Sequence, residues 1–211
     1  MVLQNFVTLE GGDGSGTSTQ LALIRNRLEN ARVRGAPIPF HLTFEPTDGP
    51  IGTLVRAALR HDVVLEGQTV ARLFAADRGE HLHADDGIVA RAGRGELVVC
   101  DRYVPSSLVY QGIECGEDLP ARLNADFPNP ELILYFDIDP RVACERFADR
   151  PVKDIYERLD FQIRVRERYE VILPAYAAAG SRLARIDASR SVEEVADQVW
   201  SAMATLPILR G

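Results

Sequence analysis

The sequence has almost no lysine, few cysteines and no long apolar run, and each shortage excludes a class of protein. Lysine occurs once, at Lys153, among 24 lysine and arginine residues, so the cationic side chains that bind an anion must be almost entirely arginines. The three cysteines, Cys100, Cys115 and Cys144, are odd in number and lack C-x-x-C spacing. This argues against a disulfide framework or a zinc site and favours a reducing compartment. No apolar run approaches the ~20 residues that span a bilayer.

The net charge of −7 argues against a general binder of nucleic acid or acidic membranes, because both need a basic surface. The first residues lack a basic segment and run directly into an apolar stretch, so we expect no signal peptide. Composition is that of a globular domain, 46% hydrophobic and 26% charged over 211 residues. The chain is therefore expected to form one cytoplasmic domain, residues 1–211.

A glycine-rich stretch, EGGDGSGTSTQ at residues 10–20, is the strongest local signal. It follows the apolar run around Val7 and precedes apolar residues at helical spacing between Leu21 and Ala31. Strand, glycine-rich turn and helix form the context in which backbone N–H groups hold a polyphosphate. The residues expected at the donor phosphates are Gly11, Gly12, Asp13, Gly14, Ser15, Gly16, Thr17, Ser18 and Thr19.

The frame of this loop, G-x-x-x-x-G-K-[ST], fits residues 11–18 at all but one position. Thr17 stands where the frame has lysine. As a bare glycine-rich turn, the stretch could equally be structural.

Strand and helix patterns alternate along the rest of the chain, and several strands are apolar on both faces. This alternation predicts an α/β fold with a central parallel sheet of five strands, flanked by helices. Gly35 is expected to end the first helix, and one long helix is expected from about Gln68 to Ala92. A capping box from Ser191 to Glu194 predicts the start of the last helix.

Polar clusters follow the predicted strands, at the sheet edge where ligands of parallel α/β proteins bind. They lie at residues 10–18, 45–48, 101–111 and 137–139. Asp101 and Arg102 could form a solvent-facing ion pair. Beside a phosphate loop, however, Asp101 is better interpreted as a carboxylate near Mg²⁺, with Ser18 supplying a hydroxyl.

Four motifs in this order, EGGDGSGTSTQ, FEPTDGPIG, LFAADR and DRYVPSSLVYQG, resemble those of thymidylate kinases, and the resemblance covers nearly the whole chain. It implies a P-loop kinase fold, a three-layer sandwich with helices on both sides of the sheet. It also implies transfer of the γ-phosphoryl group of ATP to dTMP with Mg²⁺, giving dTDP and ADP for dTTP synthesis. A homodimer is implied by the resemblance only.

The resemblance also implies roles for individual side chains. Phe74 looks like the ring that stacks on thymine, and Arg78 like the hydrogen-bonding partner of the base. Arg102 resembles the arginine on the acceptor phosphate, with Arg56 a second candidate. Tyr110 matches the tyrosine set against the 2′ carbon of the sugar.

Asp13 matches the acidic residue near the acceptor's 3′-hydroxyl and phosphate. The remaining residues assigned to dTMP are Glu45, Pro46, Ser106, Ser107 and Gln111. Asp13 and Arg102 are the catalytic residues expected from these matches. The other expected catalytic residues are those of a candidate lid, Arg146, Arg150 and Lys153.

The chemistry fits this expectation independently of the family. The second pKa of a phosphate monoester is about 6, so near pH 7 the acceptor oxygen is already anionic and needs no general base. The task is to hold two polyanions together and to stabilise charge on the transferred group. Arginine suits that task because its planar fork binds phosphate oxygens in pairs.

Arg146, Arg150 and Lys153 lie between two predicted helices, at about residues 146–157, where a closing lid would be. The alternative is that these basic side chains form a charged, solvent-exposed end of a helix.

Because Thr17 stands where the frame has lysine, a positive charge is missing at the donor phosphates, and three explanations remain. The enzyme works slowly with the backbone and Mg²⁺ alone, the chain is a nucleotide-binding pseudo-kinase, or a cation is supplied from elsewhere. Our hypothesis is that Lys153, with Arg150 and Arg146, replaces the missing charge. Another nucleotide kinase of the same fold is the remaining rival.

Overall fold

The structure, a computed structural model, describes residues 1–147 and 159–210. Within these residues no helix is long and apolar enough to cross a bilayer. The strands are β1 Val2–Gly11, β2 Arg32–Val33, β3 Ala36–Pro37, β4 Phe40–Phe44, β5 Leu97–Asp101, β6 Asn129–Asp137 and β7 Arg182–Asp187. The helices are α1 Thr17–Asn30, α2 Pro50–Leu59, α3 Gly67–His83, α4 Ile88–Gly93, α5 Val104–Cys115, α6 Asp118–Asn124, α7 Pro140–Phe147, α8 Leu159–Ala178, α9 Val192–Met203 and α10 Pro207–Arg210.

Five parallel strands form the central sheet in the order β4-β5-β1-β6-β7. Consecutive residues of β1 point to opposite faces, so Phe6 joins one apolar cluster and Val7 the other. Helices α3, α5 and α8 cover the first face, whereas α1 and α9 cover the second. The expected three-layer α/β sandwich is confirmed.

Strand β1 occupies the middle of the sheet, between β5 and β6. After β1 the chain forms β4 and β5 on one side of this strand, and it later forms β6 and β7 on the other side. This reversal of direction leaves a crevice at the carboxyl end of β1. The glycine-rich loop connects β1 to α1 in that crevice. The fold therefore places the loop where ligands of such sheets bind.

Two local predictions were wrong. Gly35 does not cap α1; it lies at φ +81° in the tight turn between β2 and β3. The long helix expected from Gln68 to Ala92 is split into α3 and α4, because Ala84 adopts an extended backbone and Gly87 turns the chain. A Cβ atom on Gly87 would lie 2.7 Å from the carbonyl oxygen of Leu82. The capping box at the start of α9 is confirmed.

Candidate active site

The glycine-rich loop needs glycine for two separate reasons. Gly14 and Gly16 adopt φ of +77° and +92°, in the left-handed region that disfavours a side chain. At Gly11 the limit is space, since a Cβ atom would lie 2.9 Å from the carbonyl oxygen of Phe136. The loop then enters α1 at Thr17, with the N-terminus of the helix facing the crevice. Backbone N–H groups and the helix dipole favour an anion here.

An open cleft of about 570 Å³ lies along this loop. Among the described residues, its cationic side chains are Arg102, Arg146 and Arg190. Arg146 reaches over the loop, with Nη1 3.4 Å from the oxygen of Gly14 and Nη2 3.0 Å from that of Ala188. The cleft has the shape and charge for a nucleotide polyphosphate, although Thr17 contributes no charge to it.

Ser18 lines this cleft and is bonded to Asp101, the last residue of β5. The hydroxyl of Ser18 donates to Oδ2 of Asp101 at 2.7 Å. Oδ1 of Asp101 is buried and meets no donor among the described residues. Mg²⁺ prefers carboxylate and hydroxyl oxygens near bound phosphates. The orphaned oxygen and its serine neighbour therefore fit a Mg²⁺ ion carried in with a nucleotide.

A second, smaller cavity of about 210 Å³ lies beside the loop. All of the side chains that the sequence assigned to the acceptor line this cavity. They are Asp13, Glu45, Pro46, Arg56, Phe74, Arg78, Arg102, Ser106, Ser107, Tyr110 and Gln111, and Leu59 and Tyr103 complete the wall. Its wall thus combines aromatic surface with three guanidinium groups.

Asp13 and Arg102 line both cavities. The guanidinium of Arg102 donates to Oδ1 of Asp13 at 2.6 Å and to the oxygen of Gly11 at 3.0 Å. The Cζ atom of this guanidinium lies 5.1 Å from the ring centroid of Tyr110, so the ring forms a cation–π contact with Arg102. The backbone of Arg102 is left-handed, with φ +69°, and its N–H donates to Leu9. Such strain at a non-glycine residue is typical of functional sites.

Arg78 forms a buried ion pair with Glu45. Nη2 of Arg78 lies 2.7 Å from Oε2 of Glu45, and the two side chains are only 1% and 2% exposed. Nη1 donates to Asn124 and Nη2 to Ser107. The guanidinium is thus held on three sides, and its position relative to the cavity is set before any ligand arrives.

Glu10 lies at the end of β1 beneath the second cavity and is fully buried. Its Oε2 accepts from Ser106 at 2.7 Å and from Tyr169 at 3.1 Å. Burial raises the pKa of Glu10 to about 7, although the Ser106 hydrogen bond and the charge of Arg102 act in the opposite direction. The carboxyl therefore changes its charge near neutral pH, directly below the arginines of the site.

Several residues of the site were missed by the sequence analysis. Gln162, in the first turn of α8, accepts from the backbone N–H of Asp13 at 3.0 Å and donates to its carboxylate at 2.7 Å. Glu10 stood inside the quoted motif but was given no role. Asn124 carried no signal at all. Arg56 lines the cavity as expected, paired with Asp48.

Of the candidate lid residues only Arg146 can be placed. Arg150 and Lys153 lie outside the described residues.

A phosphate loop after the central strand, a Mg²⁺-type ligand pair and two cavities that meet at an arginine define a P-loop phosphotransferase. A family model described as thymidylate kinase matches residues 9–199. The chain belongs to the thymidylate kinase family.

Individual relatives agree with this assignment. A thymidylate kinase of Shouchella clausii is 37% identical over 203 residues, covering 90% of both chains. One from a Synechococcus strain is 35% identical over 204 residues, covering 94% of this chain and 93% of the relative. The solved structure of a Candida albicans thymidylate kinase superposes with a TM-score of 0.74 at 22% identity, covering 98% of this chain and 94% of that one. This last likeness supports the fold.

Proposed function

We propose that this chain is a dTMP kinase that transfers the γ-phosphoryl group of ATP to dTMP, giving dTDP and ADP for dTTP synthesis. The observation that carries the proposal is the junction of the two cavities at Asp13 and Arg102. A donor in the larger cleft and an acceptor in the smaller cavity would bring their phosphates together at this point. Effective positioning of this kind supplies a large part of the rate of phosphoryl transfer.

The smaller cavity is proposed to hold dTMP. Phe74 supplies a ring on which the base stacks, and Arg78 donates to a carbonyl of the base. Tyr110 stands where a 2′-hydroxyl would lie and so favours deoxyribose. Arg102 grips the acceptor phosphate, with Arg56 as a second cation.

Asp13 receives the 3′-hydroxyl. Glu45 and Pro46 form one wall of the cavity, and Ser106, Ser107 and Gln111 form another.

The open cleft is proposed to hold ATP on the amides of residues 11–19. Ser18 and Asp101 would hold Mg²⁺, which, when bound, neutralises charge on the β- and γ-phosphates. The chain itself orients the two phosphates and excludes water, and Arg102 stabilises the charge on the transferred group. No side chain needs to remove a proton, because the acceptor oxygen is anionic near pH 7.

An ADP-release assay with four acceptors tests this function. We expect dTMP to be the best acceptor, dUMP and dCMP to be poorer, and thymidine to give no turnover because it lacks the acceptor phosphate. Equilibrium binding of dTMP is measured alongside. Binding without turnover would identify a nucleotide-binding pseudo-kinase, and a preference for another monophosphate would identify another kinase of the same fold.

A second prediction concerns the cation missing at position 17. We propose that Lys153, with Arg150 and Arg146, supplies that charge to the donor phosphates. Lys153→Ala is then expected to lower kcat about 10- to 100-fold, because a charge that stabilises the transition state is lost. Adding Thr17→Lys to this variant should restore most of the lost rate, since an ammonium again reaches the β- and γ-phosphates. Steady-state kcat of the three proteins measures this.

The matched control is Arg141→Ala, on the same helix as Arg146 but outside the cleft lining. It should leave kcat within twofold of wild type. A kcat near the wild-type value in Lys153→Ala would show that Lys153 does not replace the cation missing at position 17.

We also propose a homodimer in the cytoplasm, on the family resemblance and on the acidic, cysteine-poor composition.

A further inference from the structure

His81 connects the base-facing arginine to the edge of the sheet by a chain of hydrogen bonds. The ring lies on α3, three residues after Arg78, and is 11% exposed. Nδ1 lies 3.1 Å from Oε1 of Glu45, and Nε2 lies 2.7 Å from the hydroxyl of Thr43 on β4. Because a carboxylate only accepts, the proton is on Nδ1, and in the neutral ring the hydroxyl of Thr43 donates to Nε2.

The carboxylate of Glu45 is thereby divided between two partners. Oε1 faces His81, whereas Oε2 accepts from Nε of Arg78 at 2.9 Å. With Oε1 held, the carboxylate has one orientation, and its second oxygen points at the guanidinium. Without His81 the terminal torsion of Glu45 is broad, and the position of Arg78 is less well defined.

The position of Arg78 matters because a guanidinium donates hydrogen bonds and never accepts them. A fixed donor at the cavity wall favours a base that presents a carbonyl oxygen and disfavours one that presents an amino group. A donor free to shift by an ångström discriminates less, because binding sites depend on a rigid supporting shell.

We propose that His81 is a positioning residue that sets affinity and base selectivity for the acceptor nucleotide, acting through Glu45 on Arg78, with Thr43 fixing the ring. This inference rests on the proposed function, in which the smaller cavity holds the pyrimidine.

The same side chains could instead suggest a metal site, since ligand atoms of Glu45, His81 and Cys100 lie within 4.8 Å of one another. Their hydrogen bonds oppose that interpretation. Both ring nitrogens of His81 have partners, and Glu45 is paired with Arg78. The thiol of Cys100 donates to the oxygen of Arg102 at 3.0 Å. Burial, and then the charge of Glu45, raises the pKa of this thiol well above its usual range, so it stays protonated.

The test compares His81→Leu, His81→Asn and Thr43→Val with the wild type, using dTMP and dCMP as acceptors. His81→Leu is expected to raise KM for dTMP roughly tenfold, as for a lost hydrogen bond to a charged group, with kcat and KM for ATP within twofold. The kcat/KM ratio of dTMP over dCMP should fall by a similar factor. His81→Asn keeps an N–H near the position of Nδ1, so its KM for dTMP and its selectivity for dTMP over dCMP should both be close to those of the wild type. Thr43→Val should show the pattern of His81→Leu more weakly.

His83→Leu is the control, because His83 is exposed on the same helix and lines neither cavity. Calorimetric binding of dTMP to each variant removes any dependence on catalysis. A His81→Leu protein with unchanged dTMP binding and unchanged selectivity overturns the inference. So does a loss shared equally by dTMP and ATP, which would indicate general destabilisation. If the wild type itself binds no dTMP, the proposed function fails first and the inference with it.

Discussion

Arg102→Ala is expected to lower kcat/KM for dTMP about a thousandfold, mainly through kcat. Arg102 lines both cavities and points its guanidinium at the place where the two phosphates would meet. A preorganised arginine at a transferring phosphoryl group contributes about 10³–10⁵ to the rate. The kcat/KM of Arg102→Lys should lie between those of the wild type and Arg102→Ala, because an ammonium keeps the charge but loses the planar fork. Steady-state kinetics with dTMP and ATP measure all three proteins.

The control for this prediction is Arg27→Ala, which removes an exposed guanidinium that is paired with Asp197 and lines neither cavity. It should not change kcat/KM by more than twofold. Circular dichroism and thermal unfolding of Arg102→Ala establish that the protein is folded. A folded variant with kcat/KM within tenfold of wild type would contradict the role of Arg102.

Arg78→Met is expected to abolish dTMP binding and to lower the free energy of unfolding by about 3–5 kcal/mol. The loss of stability arises because Glu45 would remain buried without its cation, and breaking one side of a buried ion pair has this cost. The partners are almost fully buried, so solvent does not screen the loss. Denaturant unfolding gives the free energy, and calorimetry gives dTMP binding.

The double variant Arg78→Met/Glu45→Met separates the two effects. Because both charges are removed, most of the lost stability should return, while dTMP binding should not. As a control, Arg60→Ala breaks an exposed ion pair with Asp62 and should alter the free energy of unfolding by less than about 1 kcal/mol. If Arg78→Met has the same free energy of unfolding as the wild type, breaking the ion pair does not cost the expected stability.

The sequence predicted the layers of the fold and all but two of the residues that line the smaller cavity. Most of these residues follow strands, and the carboxyl ends of parallel strands meet at one edge of the sheet. Phe74 and Arg78 instead lie within α3, and only the family resemblance assigned them to the acceptor. The residues of loop 11–19 could be placed in the same way, because glycine spacing is local information. Only Arg150 and Lys153, outside the described residues, remain predictions without a place in the fold.

The remaining features depend on contacts between distant parts of the chain. Gln162 and Asp13 are 149 residues apart and pair only after α8 packs beside the loop. The partners of His81 come from a neighbouring strand and the loop that follows it, which no helical periodicity reveals. The left-handed backbone of Arg102 is imposed by its surroundings, since nothing in arginine favours that conformation. Propensity likewise could not show that the chain turns after α3 and brings Gly87 against the carbonyl of Leu82.

The central position of β1 has one further consequence. Local opening of a folded protein begins at edges and ends, where backbone hydrogen bonds are exposed, and reaches the middle of a sheet last. Strands β4 and β7 can fray without disturbing β1, which is bonded on both sides. Strand β1, the anchor of the phosphate loop, is therefore expected to open later than either edge of the sheet, so fraying at an edge leaves the loop in place.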